Sequence, residues 1–107
     1  MTTEPLPDEA FDTIEDAIEA VRRGEIVVVT DDQDRENEGD LTMAAQCVTA
    51  ESINFMAKHG RGLICLPMTG DRLAALDIRP MVDDNADKFG TAYAVSIDAR
   101  EGTTTGI

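Results

Sequence analysis

The stretch from residue 26 to residue 40 constrains the fold of this chain more than any other. It opens with IVVVT at residues 26–30, a β-branched run of buried-strand character. It passes without a spacer into DDQDRENEGD at residues 31–40, which cannot be core. The strand must therefore end at a surface, and the acidic segment must leave it as a loop. In α/β sheets, ligand sites lie beyond strand ends in this way.

Helical and strand-like periods alternate on both sides of that junction. Over residues 12–23, Ile14, Ala17, Ile18 and Val21 recur at three- and four-residue steps and predict one apolar helical stripe. Asp12 with Glu15 resembles a capping box, and Gly24 is a natural stop. A second strand is expected over residues 41–45. Thr49 is placed to cap a helix through about residue 58, with Ile53, Met56 and Ala57 inward and Gly60 and Gly62 ending it. Residues 63–66 (LICL) and 91–98 (TAYAVSID) read as further strands, residues 71–76 as a helix that Pro80 prevents from continuing, and residues 82–90 as an extended polar loop. The alternation predicts an α+β (α/β-like) fold, a mixed sheet packed with helices in a layered sandwich. Residues 1–10 read as a disordered lead-in and residues 11–107 as one domain. The final strand running into a Gly/Thr turn suggests a cut rather than a designed terminus.

Charge narrows the partners. The 107 residues carry 22 acids against 9 bases, a formal charge of −13, which repels nucleic acid and anionic membrane and favours cations. Excess acid also serves solubility alone. Cys47 and Cys65 have no CxxC spacing, the N-terminus has no secretory pattern, and no apolar run approaches a membrane span. A soluble, cytoplasmic protein is expected.

Within the acidic segment, Asp31, Asp32, Asp34, Glu36 and Glu38 precede Gly39, Asp40 follows it, and Arg35 is the single base. Carboxylates this close repel and raise one another's pKa values unless something compensates. Mg²⁺ or Mn²⁺ would do so, because hard cations prefer oxygen ligands. Arg35 offers a planar fork for a phosphate, carboxylate or sugar oxyanion. A solvated acidic turn is the other reading of such a run. A calcium EF-hand is excluded: counted from Asp32, the obligatory glycine position holds Asn37 and the closing glutamate position holds Met43.

The motif D-D-x-D-R-E-N-E-G-D closely resembles the signature loop of 3,4-dihydroxy-2-butanone 4-phosphate synthases. H-G-x-G-L-I-C-L-P at 59–67, F-G-T-A-Y at 89–93 and E-G-x-T-T-G-I at 101–107 agree in the same order. The resemblance implies a lyase of riboflavin biosynthesis that acts on ribulose 5-phosphate, releases formate, uses Mg²⁺ (or Mn²⁺) and works as a homodimer. It implies Glu36 as metal ligand and Arg35, Glu36, Asp40, Thr91 and Thr105 as substrate contacts. Glu38, Asp40 and Cys65 are the implied catalytic candidates, with Glu38 or Asp40 as base. Thr91 and Tyr93 face the same pocket in this reading and Thr104 and Thr105 add hydroxyls there, while a plain strand and turn account for these residues equally well. Cys65 also reads as a buried small hydrophobe, and His59 as a helix-end residue.

The family chain continues past T-T-G-I through S-x-x-D-R, R-P-G-H and G-H-T-E segments that are not among these residues. The last supplies a histidine that shares the metal with the loop glutamate. An incomplete metal site and little activity are therefore expected of these residues alone. The competing reading is a short non-catalytic homologue acting as a metal-binding or dimerisation module. Some relatives are fused to a GTP cyclohydrolase II domain, on which these residues are silent.

Overall fold

The computed structural model describes residue 4 and residues 6–104, which divide at Leu66/Pro67 into two compact units. Helices and an antiparallel hairpin make up the expected α+β composition.

In the first unit, a 3₁₀ turn, Asp8–Ala10, precedes helix α1, Ile14–Arg22. The cap falls on Thr13 rather than Asp12. Thr13 is extended (φ −70°, ψ 154°), and its Oγ1 accepts from the Asp16 amide at 3.1 Å, satisfying a donor with no partner inside the helix. The C-terminus closes by a Schellman motif: Gly24 N–H donates to Val21 O and Glu25 N–H to Ala20 O. Gly24 sits at φ +78°, and a Cβ there would stand 3.2 Å from the Cys47 Cβ.

Strand β1, Val27–Thr30, pairs antiparallel with β2, Gly39–Thr42, in the register Val27↔Thr42 to Thr30↔Gly39. The acidic segment is thus the connection of a β-hairpin. β2 begins two residues before the expected start and stops at Thr42, because the chain then turns into a 3₁₀ segment, Ala45–Cys47. Helix α2, Ala50–Phe55, opens on a capping box. Thr49 Oγ1 accepts from the Ser52 amide, while Ser52 Oγ accepts from the Thr49 amide. The helical path continues to Gly60, but as a π turn, Met56–Gly60, closed by Arg61 N–H donating to Met56 O. That turn lies on β2 closely enough that a Cβ on Gly60 would meet Leu41 Cδ1 at 3.0 Å.

In the second unit, helix α3, Gly70–Ala75, is capped by Thr69. It ends where Asp77 turns left-handed (φ 54°) and Ile78 N–H donates to Leu73 O, before Pro80 is reached. The strand expected over 91–98 is reduced to one antiparallel bridge, Pro80↔Ala94. Its two hydrogen bonds run from Met81 N–H to Tyr93 O and from Val95 N–H to Arg79 O. Pro80 is tolerated there because neither bond needs its missing amide. Residues 63–66 pair with no described segment, and a strand exists only with a partner.

No described side chain is fully buried. Ala17, Ala20, Val21, Ile26, Val27, Leu41, Ile53 and Met56 are partly covered in the first unit. The expected α1 stripe is covered only in part, since Ile14 is 71% exposed and Ile18 55%.

Candidate functional site

The connection between β1 and β2 is folded around one carboxylate. Asp31, the first residue after β1, accepts the Glu38 amide on Oδ1 at 2.8 Å and the Glu36 amide on Oδ2 at 2.9 Å. Its own N–H donates to Glu38 O, so backbone and side chain both close the neck of the loop. An Asx turn tightens the tip, where Asp32 Oδ1 accepts from the Asp34 amide and Asp32 O from the amides of Arg35 and Asn37. Asn37 takes the left-handed conformation (φ 52°) needed to turn back towards β2.

Arg35 spans the same centre. Nη1 lies 3.0 Å from Asp31 Oδ2, and Nη2 lies 3.0 Å from Glu36 Oε1. One guanidinium thus bridges two carboxylates, as its planar fork allows. Mutual repulsion was expected to raise pKa values here, yet the Asp31 carboxyl is held below the usual carboxylate range. The amide of Glu38 is the largest cause, followed by that of Glu36 and by Arg35. Much of the compensation expected from a cation is supplied at Asp31 by the chain itself.

Among the described residues, no three His, Cys, Asp or Glu side chains converge as a metal cage. The loop does present carboxylate oxygens, the donors a hard divalent ion prefers. Mg²⁺ is commonly held by one or two carboxylates with water and substrate oxygens completing its sphere. A site anchored on Glu36 fits that chemistry.

A profile of the 3,4-dihydroxy-2-butanone 4-phosphate synthases matches residues 15–107. The chain belongs to this family. It is 61% identical over 99 residues to riboflavin biosynthesis protein RibBA of Aquifex aeolicus, covering 91% of this chain and 24% of that protein. It is 53% identical over 107 residues to the 3,4-dihydroxy-2-butanone 4-phosphate synthase of Pyricularia oryzae, covering 99% of this chain and 46% of that one. A solved synthase in complex with two magnesium ions superposes with a TM-score of 0.82 at 55% identity, over 89% of this chain and 44% of its own. The chain therefore spans about half the length of the shorter of these synthases.

In this synthase-family chain the candidate residues fall in both units. Arg35, Glu36 and Glu38 share the hairpin connection, and Asp40 lies on β2 opposite Val29. Cys65 is an exposed free thiol beyond the π turn, not a buried hydrophobe. His59, in the last π turn, packs its ring on Phe55 with centroids 4.6 Å apart. Thr91 belongs to the second unit, where Asp87 Oδ2 accepts its amide at 2.9 Å and Asn85 Nδ2 donates to its carbonyl at 2.8 Å. Tyr93 and Thr104 are exposed in that unit, and Thr105 lies outside the described residues. Asp31 stands among the acids of the sequence segment, but composition and spacing do not single it out as the acceptor of the loop amides. The signal available was an Asp placed directly after a strand and followed by a turn of acidic residues, the usual place for a carboxylate to collect loop amides.

Proposed function

We propose that these residues form the N-terminal half of a Mg²⁺-dependent lyase that converts D-ribulose 5-phosphate to 3,4-dihydroxy-2-butanone 4-phosphate and formate. The observation that carries this reading is the family match through residues 15–107, which includes the complete hairpin loop. The two products contain all the atoms of the substrate, so the reaction needs no oxidant and consumes no water overall. It needs protons moved at successive carbons and charge stabilised on oxygen.

The residues suit those tasks. Glu36 supplies a carboxylate to the metal, which when bound stabilises negative charge on the sugar oxygens. Arg35 directs a fixed fork at the phosphate or the sugar oxygens. Glu38 in the hairpin loop or Asp40 on β2 takes the proton at the first carbon, and the other carries protons at later steps. Cys65 lines the reacting carbons. Thr91 and Thr105 add hydroxyl contacts to substrate, with Tyr93 and Thr104 beside them. Mn²⁺ replaces Mg²⁺ on the same oxygens.

The two units belong to one domain in this reading, because the family match crosses their boundary without a break. The enzyme works in the cytoplasm as a homodimer, without nucleic-acid or membrane partners. Among the described residues no helix is long and apolar enough to cross a membrane, and the −13 charge opposes binding to polyanions.

The test supplies ribulose 5-phosphate and Mg²⁺ and measures formate. This chain alone should release little, and the chain completed by the C-terminal half of the Pyricularia oryzae synthase should turn over. Glu36→Gln in the completed protein should reduce turnover by roughly 100-fold or more and weaken Mn²⁺ binding in parallel. A completed protein that folds and binds Mn²⁺ but releases no formate would favour the metal-binding module instead.

A further inference from the structure

The hairpin loop has a centre that is not one of the groups assigned to metal or substrate. Asp31 is 24% exposed at its side chain, against 53% for Arg35 and 32% for Glu36. Its two oxygens take the amides of Glu36 and Glu38, and Oδ2 also takes the Arg35 guanidinium. The three residues it touches are therefore the proposed metal ligand, one proposed proton carrier and the proposed anion fork. Among the described residues, every hydrogen-bond partner of Asp31 lies within the loop.

We infer that Asp31 is the positioning residue of this site: its carboxylate holds the backbones of Glu36 and Glu38 and the Arg35 fork so that their side chains are presented together. The inference rests on the proposed function, since the presented groups are those of the lyase site. Physically, Asp31 orients the ligand without being one. A loop of eight residues between β1 and β2 has many conformations, and only a few set Glu36, Glu38 and Arg35 side by side. Two amides fixed on one carboxylate remove most of the others. A metal or substrate then meets a formed site instead of ordering the loop itself. Groups that orient metal ligands in this way typically change metal affinity or activity by about 10- to 100-fold when lost.

Asp31→Asn is the informative variant. It keeps the shape and one accepting oxygen but replaces the other with a donor, which cannot accept an amide. In the completed protein, Mn²⁺ binding is followed by the loss of the free-ion electron paramagnetic resonance signal. Thermal unfolding and amide hydrogen exchange are recorded on the same samples. Asp31→Asn should weaken Mn²⁺ binding by about 10-fold or more, with the unfolding midpoint nearly unchanged. The Glu36 and Glu38 amides should be protected in the parent and exchange faster in the variant. Binding within twofold of the parent, in a background where Glu36→Gln has lost it, would overturn the inference and leave the site assignment standing. If Glu36→Gln binds Mn²⁺ as the parent does, the site assignment fails first. Should Asp31→Asn not fold, exchange in the parent decides. Unprotected Glu36 and Glu38 amides would overturn the inference, and protected ones with an intact unfolding midpoint in Asp31→Ser would sustain it.

Discussion

Arg35 shows how much of this site is decided by single side chains. Its two terminal nitrogens each stand 3.0 Å from a different carboxylate, Asp31 and Glu36, and it lies half exposed. Exposed pairs of this kind contribute little stability, about 0–1 kcal/mol, so their worth lies in geometry. Lysine offers a point charge that cannot span both acids. Arg35→Lys should leave the unfolding free energy within about 0.5 kcal/mol of the parent. It should raise KM for the sugar phosphate roughly tenfold, the loss of one charged hydrogen bond of about 1.5 kcal/mol. Kinetics beside a denaturant titration checks both, and an unchanged KM would remove Arg35 from the substrate. That Arg35, Glu36, Glu38 and Asp40 lie on one loop and the strand after it follows from a fixed motif in the sequence. Asp31 stands in that motif too, but its role was not legible. Which carboxylate in an acidic run collects the amides depends on how the loop folds back, and that is settled only by the Thr30↔Gly39 register.

At the scale of elements, the sequence spoke clearly wherever the signal was local. α1, α2 and α3 each lie within two residues of their expected starts, since a cap, a stripe and a stop are written within a dozen residues. The strands were harder. β1 was plain from its β-branched run, whereas residues 63–66 and 91–98 carry strand-like composition without a described ladder, because pairing depends on segments far away in sequence. Gly24 joins the two kinds of information. Its place after the helix was readable, but the closeness of Cys47 to the position a Cβ would take there was not. Alanine there must adopt a left-handed conformation and crowd the cysteine, so Gly24→Ala should destabilise the completed protein by about 1–2 kcal/mol. Denaturant unfolding measures this. Gly62→Ala is the matched control, since that glycine has a similar φ of +78° and nothing within 4 Å of its Cβ position. Gly24→Ala should therefore be the more damaging of the two, and equal losses would mean that Cys47 contributes nothing.

For the whole molecule, the governing fact is how much apolar surface stays open. No described side chain is fully buried, and Leu63 is 81% exposed, Ile14 71%, Val28 64% and Ile97 62%. Soluble monomers rarely leave contiguous apolar patches of more than a few hundred Å² uncovered, and larger patches mark contact with other protein. The composition, at 42% apolar, gave no warning, because it reports how much core material a chain has and not what covers it. The matched part makes up 44% of a solved relative, so that chain has further residues besides the matched ones. This chain by itself should therefore bind a dye such as ANS strongly, sediment as concentration-dependent oligomers and melt without a sharp transition. Completing it with the relative's C-terminal half should lower dye fluorescence severalfold and restore a cooperative melt, because each fully buried Leu, Ile or Val adds about 1.5–3 kcal/mol. Sedimentation and dye binding on both proteins at equal concentration make the comparison. A monomeric, dye-silent, sharply melting 107-residue chain would show that its own residues cover the surface that now lies open.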